Sequence, residues 1–313
     1  MRLLTKTIFL LSFAFALSSC NDNDDVIDEF GQEILITDDV DCCSADEARL
    51  VYEFLRTVKE IPSLTQEIDG KYRLRFFSPT GSLHTGYNDI YVVATKIISA
   101  NYIKDIEVSN FTPLMSMASG MIHSTPTSES ISNFDNGILA VRHGWVSFVM
   151  NSSENGSWDL DFDIRILSTK EHFSLPITVN ALPEGQKWIS QFKVGEQAYH
   201  ISLVNPTEWV VGTNEIEAYI TEVSADKKTP YRPADKKFTV EITPTMPDMG
   251  FHSSPEGEPL TASESGIYNG VVNFTMTGLW RLHLTVKDAE GNVIAGGDDA
   301  DHGFSSLSLE VSL

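Results

Sequence analysis

Trp280-Arg281-Leu282-His283-Leu284-Thr285-Val286 alternates apolar and polar residues along its whole length. Successive side chains of a strand point to opposite faces, so Trp280, Leu282, Leu284 and Val286 are expected to share an inward face. Arg281, His283 and Thr285 are expected to face solvent. The same alternation marks Tyr72-Leu74-Phe76 and Phe238-Val240-Ile242. Turns rich in Pro, Gly, Asn and Asp separate these runs, as in sandwiches built from short strands. Helical spacing is nearly confined to residues 45–60, where Leu50, Val51, Phe54, Leu55 and Val58 recur behind a capping-box pair, Ser44 and Glu47. The expected fold is mainly β: two tandem immunoglobulin-like β-sandwiches preceded by one short helix.

Two sandwiches are expected because landmarks recur in the same order. Ser78-Pro79-Thr80 is echoed by Asn205-Pro206-Thr207, and the strand-like runs 89–94 and 215–220 follow. Thr112-Pro113-Leu114-Met115 matches Thr243-Pro244-Thr245-Met246, and His123-Ser124-Thr125-Pro126 matches His252-Ser253-Ser254-Pro255. Phe148-Val149-Met150 matches Phe274-Thr275-Met276, and Trp158 and Trp280 are expected to open the last strand of each copy. The copies run from 68 to 169 and from 190 to 313, each long enough for its own core. Residues 44–67 form a helical segment before them. Residues 170–189 fall between them as a connector, in a stretch from His172 to Lys193 expected to carry one strand.

Arg2 and Lys6 flank an apolar run ending in Leu17-Ser18-Ser19-Cys20. Residues 1–19 have the form of a signal peptide. The four residues resemble the lipobox of bacterial lipoproteins, which implies cleavage before Cys20, its lipidation and attachment to a membrane. Residues 20–43 form an acidic tether, with Asp22, Asp24, Asp25, Asp28 and Glu29. It resembles the export signal of Bacteroidetes lipoproteins, implying the outer membrane and its surface. Removing 1–19 takes away two basic residues and no acidic one, so the net charge moves from −22 to −24. That charge opposes nucleic-acid binding and favours cations. After Cys20 only the adjacent Cys42 and Cys43 remain. At a helix N-terminus, vicinal cysteines are a candidate redox pair or soft-metal ligand set, with a structural role as the alternative.

Of the eight methionines, Met1 starts the chain and the other seven fall into two groups. Met115, Met117, Met121 and Met150 lie with His123; Met246, Met249 and Met276 lie with His252. Core filler would scatter through every strand. Thioethers beside imidazole form a soft donor set suited to copper, especially Cu(I). Pro244, Pro247, Gly250 and Pro255 break ladder pairing, which places Met246, Met249 and His252 on an irregular segment at a sandwich end. Met276 shares the apolar face of the neighbouring strand. A packing role, with the methionines plugging a sandwich end, is the competing reading.

Met246-Pro247-Asp248-Met249-Gly250-Phe251-His252, followed by a β run ending in Gly278-Leu279-Trp280-Arg281-Leu282, resembles the YtkA-like domain family. The resemblance implies a small exported immunoglobulin-like domain and copper handling. The first copy departs from it: Met115-Ser116-Met117 lacks the Met-Pro step, and its spacing to His123 differs.

His84, His143, His172, His200 and His302 stand apart from these groups. No nucleophile elbow, phosphate loop, zincin helix or paired-carboxylate motif is present, so an enzyme is not expected. The expected function is an envelope lipoprotein that stores, delivers or senses copper or another soft metal, with a metal transporter or another envelope protein as partner. The alternatives are a structural or partner-binding lipoprotein without metal, and a glycan binder using Trp145, Trp188 or Trp209.

Overall fold

The computed structural model describes residues 44–128, 130–134, 137–224, 231–264, 266–297, 300–301 and 304–313. The signal, Cys20, the acidic tether and Cys42-Cys43 lie outside the described residues, as does His302. Among the described residues the fold is mainly β with one α-helix, α1 (Ser44–Leu55). A helix of this length is marginal alone, and packing holds it. Ala48 and Val51 are buried against Phe77, Val93, Tyr102 and Ile138. Leu50, expected in the apolar spacing, is 40% exposed because one helical step turns it away from that contact.

The first half runs β1 (Tyr72–Ser78), β2 (Gly86–Lys96), β3 (Ile106–Met117), β4 (Ile122–Ser124), β5 (Arg142–Phe148), β6 (Gly156–Ile166) and β7 (Thr169–Ile177). Two antiparallel sheets form, ordered β1-β2-β5 and β7-β6-β3-β4. Between them Leu74, Phe76, Ile90, Val92 and Phe148 meet Val108, Phe111, Trp158, Phe162 and Ile164. This is the sandwich that the alternation requires. Its limits differ from expectation at both ends. Short strands at 59–60 and 66–68 pair with β1, and β7 pairs with β6 from Ile166↔Thr169 to Trp158↔Ile177. Residues 170–177 therefore belong to the sandwich and not to a connector, and Trp158 opens the last strand but one. The strand expected in this stretch is the edge strand β7, paired with β6 rather than left between the halves.

The second half runs β8 (Gln197–Asn205), β9 (Gly212–Val223), β10 (Thr239–Met246), β11 (His252–Ser253), β12 (Glu258–Ala262), β13 (Ile267–Phe274), β14 (Leu279–Lys287) and β15 (Ser308–Ser312). Its pairing order β8-β9-β13 repeats β1-β2-β5, and β15-β14-β10-β11 repeats β7-β6-β3-β4. Here too the strand that Trp280 opens is not the last: three short strands and then β15 follow it among the described residues. The halves differ at β12, which pairs with β13 through Thr261↔Asn269 and with β10 through Val240↔Leu260. It joins the two layers into one continuous sheet. Tyr199, Ile201, Ile216, Ile220 and Phe274 face Val240, Trp280, Leu282, Leu284, Leu309 and Val311 in the core. Matched polar contacts open β2 and β9. The Asn88 amide donates to the carbonyls of His84 and Gly86, and the Asn214 amide to those of Val210 and Gly212.

His283 corrects the simple alternation. It does point away from the core of its half, but it is 2% exposed, not solvated. Its Nδ1 donates to the Ser305 carbonyl at 2.6 Å, its Nε2 meets Thr245 Oγ1 at 2.9 Å, and Phe304 stacks on the ring. Chain returning across the outside of β14 covers that face.

The two halves meet across outward faces. His200 and Ser202 on β8 point away from their own core and are buried. Ser202 Oγ lies 2.6 Å from Ser147 Oγ, Trp145 packs on Tyr219 at 4.7 Å, and Tyr231 Oη donates to the Ser124 carbonyl at 3.2 Å.

Candidate functional site

Each half carries its methionines and its histidine at the same end. On β3 the alternation buries Met115 completely, exposes Ser116 and leaves Met117 half-buried. A turn follows, closed by the Met117 amide donating to the Met121 carbonyl at 2.9 Å and by Gly120 with φ +84°. The chain returns as β4, where His123 stands directly opposite Met115. On the other flank of β3, Trp158 of β6 is also opposite Met115. Three neighbouring strands thus present Trp158, Met115 and His123 in one row. Directly opposed residues point to the same face.

The second half repeats the row by a different turn. Met246 ends β10 and is 5% exposed; Pro247, Asp248 and Met249 form a 3-10 turn. Gly250 at φ +64° and Phe251 at φ +60° reverse the chain, and His252 lands opposite Met246. Trp280 lies one step beyond the last pair of β10 with β14, Thr245↔Arg281. The Met-to-His segment is two residues longer in the first half, yet both registers set Met against His. Two added residues preserve the face, because side chains alternate with a period of two.

The rings confirm the arrangement. His123 meets Trp158 edge-on at 5.7 Å, and His252 lies 6.2 Å from Trp280. Both tryptophans are fully buried, packed on Phe148 at 5.0 Å and on Phe274 at 5.2 Å. Their indole N–H groups donate to the carbonyls of Met150 and Met276 at 3.0 and 3.1 Å. Those two methionines therefore contribute backbone to this end. The Met150 side chain is 39% exposed, and Met276 is partly buried against the core.

The sulfur-bearing groups are not equally gathered. Met115 and Met117 both lean over Gly156, whereas Met121 is 63% exposed on the turn. In the second half the terminal methyl of Met246 lies over Gly278, and Met249 is 55% exposed. The two glycines open the Gly-x-Trp steps 156–158 and 278–280. Gly278 has φ +133°, a conformation that side chains rarely adopt, and a Cβ there would also come within 2.7 Å of the Met246 methyl. The repetition of Gly-x-Trp was visible in the sequence, but its packing role was not.

The histidines differ in their hydrogen bonds. His123 Nδ1 lies 3.1 Å from the Ser124 carbonyl, which only accepts, so Nδ1 carries the proton. His252 instead uses Nε2, at 3.1 Å from Thr275 Oγ1. Among the described residues, no group of three or more His, Cys, Asp or Glu side chains converges. A metal at either end would have to draw on the thioethers, which selects a soft ion over zinc, calcium or magnesium.

The remaining histidines are engaged elsewhere. His143 Nε2 pairs with Asp89 at 2.8 Å, His172 Nδ1 with Asp163 at 2.8 Å, and His84 Nδ1 donates to the Thr85 carbonyl. Trp188 and Trp209 pack against the second core, and Trp145 is held between Tyr87 and Tyr219. An open trough of about 910 Å³ on the second half is lined by Asn205, Glu208, Glu217, Glu258 and Asn269, without any of these tryptophans.

No curated protein matches this chain. Among solved structures, pT26-6p is similar at 10% identity and a TM-score of 0.22, covering 87% of this chain and 70% of that one. A likeness of that size carries no argument about fold or function. Residues 193–285, which contain β8 to β13 and most of β14 together with the Met246–His252 segment, match the model of the YtkA-like family.

Proposed function

We propose that this protein is a lipid-anchored envelope protein that binds Cu(I) through the methionine and histidine side chains at the ends of its two halves. The YtkA-like match fits an exported envelope protein. One observation carries the copper reading: Trp, Met and His stand in one row in each half, although the turns joining Met to His differ in length and sequence. Simple packing would need the buried methionine and the tryptophan, but not a histidine opposite the methionine in both halves. Thioethers stay neutral, so a monovalent soft cation binds without proton release from sulfur. The ion is cargo to be stored, delivered or sensed, and an envelope transporter is the fitting partner.

Met246 and Met249 test the reading in the second half. Replacing both by leucine keeps volume and apolar character, at a cost below about 1.5 kcal/mol each. Cu(I) affinity of the second-half site, measured against a chromophoric chelator, is expected to fall roughly tenfold or more while the fold persists. Unchanged affinity would return the cluster to a packing role. It would then favour a partner-binding surface built from exposed Met121, Ile122 and Met249.

Anchoring rests on Leu17-Ser18-Ser19-Cys20. Cys20→Ala is expected to move the protein from the membrane fraction to the soluble fraction once the signal is removed. Membrane partition equal to that of the unaltered protein would remove the lipid anchor from the proposal.

A further inference from the structure

The first half lies outside the family match, yet its two strand-borne thioethers are the better gathered. We propose that Met115 Sδ, Met117 Sδ and His123 Nε2 form a pre-organised three-donor Cu(I) site, and that this site fills before the one in the second half. The proposal rests on the copper reading and asks which end carries it.

Met115 and Met117 are two residues apart on β3, so both side chains stand on one face. Across from Met117 lies Gly156, which has no side chain. The place a Cβ would occupy there is filled by the Met115 methyl, and lies 3.1 Å from Met117 Sδ and 3.4 Å from Met115 Sδ. The two sulfurs therefore border one small filled volume and are no further apart than the sum of those two distances. Met115 is its floor, and half-buried Met117 and His123 are its rim.

His123 comes to the same face from the other flank. Its Nδ1 proton is committed to the Ser124 carbonyl, which leaves the Nε2 lone pair for a ligand. A backbone carbonyl on the far nitrogen is how metal-binding imidazoles are commonly oriented. That carbonyl is itself held: it also accepts from Tyr231 Oη, and Ser124 Oγ donates to the Pro113 carbonyl at 2.7 Å. Two thioethers and one imidazole are a neutral, soft set suited to Cu(I) or Ag(I).

The second half has no such convergence. Position 248, two residues after Met246, is an aspartate; Met249 is exposed on the 3-10 turn, and His252 Nε2 already meets Thr275. Binding there requires side chains to be ordered first, which weakens it.

The test is a titration of the mature chain, labelled at its methionine methyls, with Ag(I) followed by NMR. Met117→Leu and the Met246→Leu, Met249→Leu pair are compared with the unaltered protein. The Met115 and Met117 methyls are expected to shift first, and Met117→Leu is expected to weaken that first step roughly tenfold or more. If Met246 and Met249 shift first and Met117→Leu changes nothing, this inference fails while the copper reading stands. If no methionine methyl shifts, both fail. Leucine at 117 sits on a half-buried rim, and an unchanged methyl spectrum elsewhere shows that the variant is folded.

Discussion

Replacing Trp280 by alanine is expected to cost about 3–5 kcal/mol of folding stability, the largest single loss in the second half. The indole is fully buried, packs on Phe274 at 5.2 Å and fills the core between β13 and β14. Alanine leaves a cavity that the close-packed strands cannot collapse into, because sheet hydrogen bonds hold them apart. It also orphans the Met276 carbonyl, which accepts the indole N–H at 3.1 Å. Trp280→Phe keeps most of the volume and loses the hydrogen bond, so its cost is expected nearer 1–3 kcal/mol. Urea denaturation of both variants measures the difference. A loss under about 1 kcal/mol for alanine would contradict the burial of the ring.

The second large effect is a loss of stability in mild acid that originates at His200. Burial pushes its imidazole down from the ordinary value to about 4. Its Nδ1 has no hydrogen-bond partner among the described residues, and Tyr231 packs edge-on at 5.5 Å. The unfolded chain takes up this proton near pH 6.5, the folded one only near 4. The unfolded state thus binds more protons between those values. Stability from this site is full above about 6.5, declines as pH falls towards 4 and is gone below it. The span corresponds to roughly 3 kcal/mol. Thermal or urea unfolding at pH 7.5 and 4.5 reads it, and His200→Phe, which cannot take up the proton, is expected to flatten the profile in that window. The Asp163 and Asp288 carboxyls, held low mainly by hydrogen bonds from Asn110 and Asn292, act in more acid solution. His84, where burial also pushes the imidazole down, adds a slope of the same sign that persists in His200→Phe, so the variant is read by how far the slope decreases. A slope unchanged in His200→Phe would assign the acid sensitivity to other groups.

The β class and the inward residues were legible because strand side chains alternate. Trp280, Leu282, Leu284 and Val286 are all fully buried, as their spacing requires. The recurring landmarks grouped Met with His in each half, but the expected irregular segment is confined to the turn at 247–251: Pro244 stays in the ladder opposite Leu282, and His252 pairs with Met246. The register that sets Met115 against His123 and Met246 against His252 was less legible, since the two turns differ in length. It follows from parity, which the spacing did contain. A strand was expected within the connector, but its pairing with β6 was not, because alternation at Phe173, Leu175 and Ile177 marks a strand without naming its partner.

Periodicity in the chain determined which residues share a face, and so the β fold, the core side of each main strand and the grouping of thioethers with imidazoles. It did not determine what covers the opposite face. His283 and His200 stand on such faces and are buried only because a returning segment and the other half lie over them. Nor did it place Gly156 across from Met117, where the Met115 methyl takes the place of a side chain and both thioethers pack together. Facing is a local property set by the backbone's two-residue repeat. Coverage and convergence depend on residues distant in the chain, and only tertiary packing brings those together.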